Sequence, residues 1–66
     1  MAVMKVIEVL SSSTKSWEEA TSIAVKQASK TIKNIRSVYL QDQSAVVNDG
    51  EVTEFRVALK LTFEVN

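Results

Sequence analysis

Apolar and polar residues alternate almost without interruption along the last third of the chain. Phe55, Val57, Leu59, Leu61, Phe63 and Val65 fall on one parity, and Glu54, Arg56, Ala58, Lys60, Thr62 and Glu64 on the other. A period of two places the first set on one face of a β-strand and the second on the other. The same period begins at Ser37 and runs towards Asn48. Between the two runs lies Asp49-Gly50, a pair suited to the two positive φ angles of a tight type I′ turn. That turn sets Asn48 opposite Glu51, Leu40 opposite Leu59 and Val38 opposite Leu61, which makes one face of the hairpin apolar. In this register Asp42 falls on the apolar face opposite Val57. Either a bulge shifts the pairing there or the covering element does not reach that far.

The first half reads differently. Met4 to Leu10 is rich in β-formers but alternates imperfectly, as expected of a strand partly buried on both faces. Ser11, Ser12 and Ser13 break the pattern. Ser16 with Glu19 three residues on has the form of a capping box, which predicts a helix from Trp17. Trp17, Ala20, Ala24, Ala28, Ile32 and Ile35 then advance by three or four, and Glu18, Lys26, Lys30 and Lys33 lie off that line. Glu18 and Glu19 at the start and Lys30 and Lys33 towards the end match the helix dipole. The expected fold class is α+β: a single domain over residues 1–66, β-α-β-β, with a three-stranded antiparallel sheet packed on one amphipathic helix.

The second face of that sheet has no element to cover it. In the register above it carries Tyr39 opposite Lys60, Gln41 opposite Ala58 and Gln43 opposite Arg56. Such a mixed surface suits subunit contacts or a polar ligand better than a dry core. Length argues the same way, because a chain of 66 residues buries only roughly 60% of the surface its unfolded form exposes. With no Cys and no His, disulfides and the commonest metal ligands are unavailable as supplements, and oligomerisation remains.

Composition excludes more than it assigns. Eight Lys and Arg balance eight Asp and Glu, so no positive field favours nucleic acid or an anionic membrane. No apolar run approaches the ~18 residues of a spanning helix, and Met1 to Leu10 lacks the marks of a signal peptide. The expectation is a cytoplasmic protein with neither nucleic-acid nor membrane partners. Without His or Cys most nucleophile–base pairs are missing, and no enzyme is expected. Ser11 to Ser13 read as a polar turn into the helix cap, and Trp17 as the helix's apolar anchor rather than a cofactor platform. Gly50 is the only glycine, too few for a phosphate-binding loop. Arg56 with Gln43 has the donors to hold a carboxylate, a phosphate or an amide-bearing ring. Asp42, Asp49, Glu51 and Glu54 offer oxygen ligands to a hard cation such as calcium but match no loop motif, and read as solvated turn charges.

The order of these segments resembles the dodecin family over essentially the whole chain. The resemblance lies in Lys5-Val6-Ile7-Glu8-Val9 followed by serines, Ser16-Trp17-Glu18-Glu19-Ala20, Lys30-Thr31-Ile32, and Phe55-Arg56-Val57 through Phe63-Glu64-Val65. It implies a hollow homododecamer and, in many members, a flavin (riboflavin, FMN or FAD) at two-fold contacts. There the flavin is stacked on a tryptophan after the helix and hydrogen-bonded by a glutamine of the last strand. By spacing, those positions are Ser37 and Arg56 here. Tyr39, two residues on and on the same strand face, offers a displaced stacking surface. The expected function is therefore flavin binding, storage and buffering at subunit contacts, with Ser37, Tyr39, Gln41, Gln43 and Arg56 lining the site. The rival is a structural shell without flavin that carries calcium or another ion.

Overall fold

A computed structural model describes residues 2–65. In chain order the elements are β1 (Val3–Ser13), α1 (Trp17–Ala28), β2 (Ile35–Asn48) and β3 (Glu51–Val65). They form one antiparallel sheet in the order β1-β3-β2, so the last strand is central. This is the β-α-β-β fold that the patterning predicts.

The alternation in β3 explains the core. Val57, Leu59 and Leu61 are buried, and they meet the buried Ala20 and Ala24 of α1. Ile7, Val9, Trp17, Val25, Ala28, Ile35, Val38 and Leu40 pack around them. Alanines on the helix's buried line let it lie close on the sheet, as a densely packed interior requires.

Three local features depart from the sequence expectation. First, β1 does not stop at Leu10 but continues through the serines to Ser13. Ser11 and Ser13 pair with Val57 and Phe55 and so face the helix. Ser11 Oγ donates to the Ala20 carbonyl (2.8 Å). Ser13 Oγ donates to Glu19 Oε1 (2.6 Å) and accepts from the N–H groups of Lys15 (2.9 Å) and Ser16 (3.5 Å). The hydroxyls satisfy the backbone of the helix start, which makes serine tenable on an inward-facing strand position. Ser16 caps α1 by accepting from the Glu19 N–H at 2.9 Å, while the Glu19 carboxylate turns to Ser13.

Second, the helix ends at Ala28 rather than running on to Ile35. The Lys30 and Thr31 N–H groups bond three residues back, to Gln27 and Ala28 (both 3.2 Å), a tightening typical of a last turn. Asn34 then takes a left-handed φ of 64°, and its carbonyl accepts from the Glu64 N–H at 3.0 Å. Ile35 therefore reaches the core from β2. Lys30 and Lys33 lie beyond the helix, and Lys26 is the cation in its last turn.

Third, β2 is irregular between Ile35 and Ser37 and has two later shifts, a bulge between Leu40 and Asp42, which is one of the two alternatives that Asp42 posed, and an irregularity between Val46 and Val47. The hairpin turn itself is as expected, with Asp49 and Gly50 at φ 53° and 79° and Asn48 opposite Glu51. Val38 faces Leu61 and Leu40 faces Leu59, also as expected. Between the two shifts every pair moves by one residue, and Asp42 faces Ala58 instead of Val57.

The result is long and thin, 50 × 20 × 13 Å with a radius of gyration of 13.5 Å, against about 11 Å for a compact chain of this length. Its accessible surface is 4882 Å², where a compact monomer of this mass exposes about 4,200 Å².

Candidate ligand face of the sheet

Side chains alternate across the sheet, so the residues between the buried positions of β3 define the face turned away from α1. Strand pairing arranges them in rows. Ser12, Arg56 and Ser44 form one row, and Leu10, Ala58 and Asp42 the next. Glu8, Lys60 and Tyr39 come after them, then Val6, Thr62 and Ser37. No second layer covers these rows, and Leu10 is 83% and Tyr39 66% exposed.

Leu10, Ser12, Asp42, Ser44, Glu54, Arg56 and Ala58 of this face, together with Ser11 and Val57, line an open depression of about 510 Å³. Its lining is apolar at Ala58 and Leu10 and also includes one guanidinium and two carboxylates. Arg56 Nε lies 3.4 Å from Glu54 Oε1, an arrangement that restrains the guanidinium while its terminal N–H groups keep their donor capacity. Among the described residues there is no group of three or more His, Cys, Asp or Glu side chains placed to hold a metal ion.

Of the residues expected to line a site, Ser37, Tyr39 and Arg56 share the uncovered face. Gln41 is the extra residue of the bulge. Gln43 pairs with Val57 and lies on the helix side, so the expected Gln43–Arg56 neighbourhood does not form. The bulge is the cause, since one inserted residue reverses the parity of the residues after it. Asp42 and Ser44 take the outward positions instead. Leu10 and Ser12 escaped the sequence reading because the serines looked like a turn. Asp42 did leave a signal, for a carboxylate assigned to a core face already implied a bulge.

Trp17 is absent from this face. It stands edge-on to Phe55, with ring centroids 4.9 Å apart and planes at 75°, and its Nε1 donates to the Ser44 carbonyl at 2.9 Å. Thus it anchors the start of α1 to the β2–β3 ribbon, the role its helical spacing suggests.

The family model for dodecins matches residues 3–66. The chain belongs to the dodecin family. A curated relative, the calcium dodecin of Mycobacterium tuberculosis, is 31% identical over 65 residues, covering 98% of this chain and 92% of that protein. Its crystal structure, described as a calcium-chelating antigen with a novel calcium-binding site, aligns with a TM-score of 0.83 over 97% of this chain and 91% of its own. The dodecin of Streptomyces coelicolor aligns with a TM-score of 0.93 at 28% identity, over 98% of this chain and 93% of its own. A dodecin mutant from Thermus thermophilus shares the fold at a TM-score of 0.93 and 23% identity, over 100% and 98% of the two chains. Among the described residues no helix is long and apolar enough to cross a membrane.

Proposed function

We propose that this dodecin is the subunit of a homododecameric, non-enzymatic shell that binds and stores a flavin where the uncovered sheet faces of two subunits meet. The carrying observation is the depression on that face, lined by Leu10 and Ala58 and by a guanidinium beside a carboxylate. A flavin ring has an apolar dimethylbenzene end and a pyrimidinedione edge that alternates carbonyl acceptors with an N–H donor. Leu10 and Ala58 suit the first. Arg56 donating to a carbonyl and Asp42 accepting from the ring N–H suit the second.

Tyr39 belongs to the row of Lys60, four residues along β3 from Arg56, or about 13 Å at strand spacing. It reaches the far end of a ligand lying along the strands rather than sharing a pocket with Arg56. Ser37 is a further row away, so Tyr39 is left to provide the stacking, which contributes about 0.5–1.5 kcal/mol beyond burial. One subunit covers only one side of such a ring. Small-molecule sites bury roughly 70–90% of their ligand, and a second sheet face supplies the rest.

A second reading has its own support. Asp42 and Glu54 both line the depression, and a relative 31% identical is a calcium dodecin. Calcium takes about 6–8 oxygen ligands, so a cation here would draw on more than one subunit.

The test is a titration of purified protein with riboflavin, with FMN and, separately, with calcium, while light scattering follows particle mass. Saturable quenching of flavin fluorescence at micromolar concentration on a dodecamer supports the leading reading. Calcium binding without quenching supports the second. A dodecamer that binds neither leaves a structural shell, and a monomer overturns both.

A further inference from the structure

Charge is balanced overall but separated along the chain. Residues 37–55 contain Asp42, Asp49, Glu51 and Glu54 and no Lys or Arg, whereas residues 20–41 contain Lys26, Lys30, Lys33 and Arg36 and no acid. β2 joins the two regions, and its 14 residues span about 46 Å at strand spacing, nearly the whole length of the molecule. The hairpin tip with Asp49 and Glu51 and the start of β2 therefore lie too far apart to meet within one copy.

The hairpin tip and a groove beside α1 each carry apolar surface without a partner. Beyond Phe55 the sheet loses β1, whose last pair is Ser13–Phe55, and the hairpin continues as a two-stranded ribbon. Val47 and Val52 pair across it on the helix side, 63% and 52% exposed. A bare two-stranded ribbon is marginal in water, and an apolar pair at its tip weakens it further unless something covers it. Beside the middle of the sheet a groove of about 500 Å³ runs between α1 and β1, lined by Ile7, Val9, Ile23, Gln27, Ala28 and Ile32 among others. Lys26 is one helical turn from the groove's Ile23, and Lys30 and Lys33 lie within two residues of Ile32 in the sequence. Arg36 pairs with Glu64 at 3.2 Å. Among the described residues no ion pair involves Lys26, Lys30, Lys33, Asp49 or Glu51.

We propose that the hairpin tip of one copy docks in the α1–β1 groove of a second copy, Val47 and Val52 entering the apolar floor and Asp49 and Glu51 meeting Lys26, Lys30 and Lys33. This rests on the reading of the chain as an assembling subunit and names one of its contacts. Tip and groove are different surfaces, so the contact is heterologous and repeats from copy to copy until the ring closes. It lies on the helix side of the sheet, and Leu10 and Ser11 border both its groove and the ligand depression.

The test uses the full chain and sedimentation velocity over a range of concentrations. Val47→Ser with Val52→Ser removes the apolar tip, and the concentration needed for assembly should rise at least about tenfold. Asp49→Asn with Glu51→Lys changes the tip charge but keeps a residue that tolerates a positive φ, and Lys30→Glu with Lys33→Glu reverses the groove rim. Each charge pair should weaken assembly at low salt, and all four changes together should restore it. Unchanged assembly in the valine variant, or both charge variants weakened without mutual rescue, overturns the contact while leaving the shell intact. A wild-type chain that stays monomeric overturns the contact and the shell together.

Discussion

Ser12 and Ser13 are adjacent, identical in chemistry and opposite in role. Ser13 is buried and bridges Glu19 to the N–H groups of Lys15 and Ser16. Ser12 points the other way, beside Arg56 in the row of the ligand face. Ser13→Ala leaves a carboxylate oxygen and two backbone donors without their partner, at a cost of about 1–3 kcal/mol. Ser12→Ala should change stability by less than about 0.5 kcal/mol. Urea unfolding at matched protein concentration separates the two, and equal losses would refute the division. Trp17 can be tested likewise. Trp17→Phe keeps an aromatic ring against Phe55 but removes the donor to the Ser44 carbonyl, a loss of about 1 kcal/mol by the same measurement. The sequence carried the spacing that makes Trp17 an anchor. It did not distinguish Ser12 from Ser13, because a serine run has no apolar alternation to assign its faces.

The elements were legible wherever periodicity and turn chemistry agreed. Asn48-Asp49-Gly50-Glu51 specified both the turn and the register on its two sides, and the structure has both. The end of the helix escaped, and the bulge stood only as one of two alternatives. Ile32 and Ile35 prolong the helical spacing past Ala28, yet Ile32 lies in a loop and Ile35 packs against the core from β2, since the core accepts an apolar side chain from any backbone that delivers it. Left-handed Asn34 ends the segment without a glycine or proline to mark the break. The bulge beyond Leu40 altered the candidate site most, removing Gln43 from the face of Arg56 and supplying Asp42. Gly50 offers a clean test of the hairpin. It adopts φ +79°, and an added Cβ would meet nothing within 4 Å, so Gly50→Ala isolates the backbone penalty. A left-handed alanine costs about 1–2 kcal/mol, and a Tm unchanged by the substitution would mean that the ribbon relaxes into another turn.

Taken whole, a single copy of the chain is an incomplete object. Among the described residues its buried hydrophobic core consists of two alanines, a valine and two leucines, and a thin 50 Å ribbon leaves one sheet face open. The absence of Cys and His made assembly the expected source of additional burial, and membership of the dodecin family is consistent with it. If contacts between copies supply that stability, thermal unfolding depends on protein concentration by mass action. A hundredfold dilution should lower Tm, and Leu59→Ala, which empties the centre of the core, should cost about 2–5 kcal/mol in addition. A Tm independent of concentration would assign stability to the isolated chain.

Completion of the ligand site by a second subunit's sheet face is open to direct measurement. Quenching of a fixed, low concentration of riboflavin is followed while the protein is diluted through its dissociation range, with particle mass recorded on the same samples. Quenching that disappears in step with loss of the large particle is the predicted result, together with loss of quenching in assembled Arg56→Ala. Quenching that persists on dissociated chains would place a complete site within one subunit and contradict the shared site, as would an intact particle that never quenches the flavin.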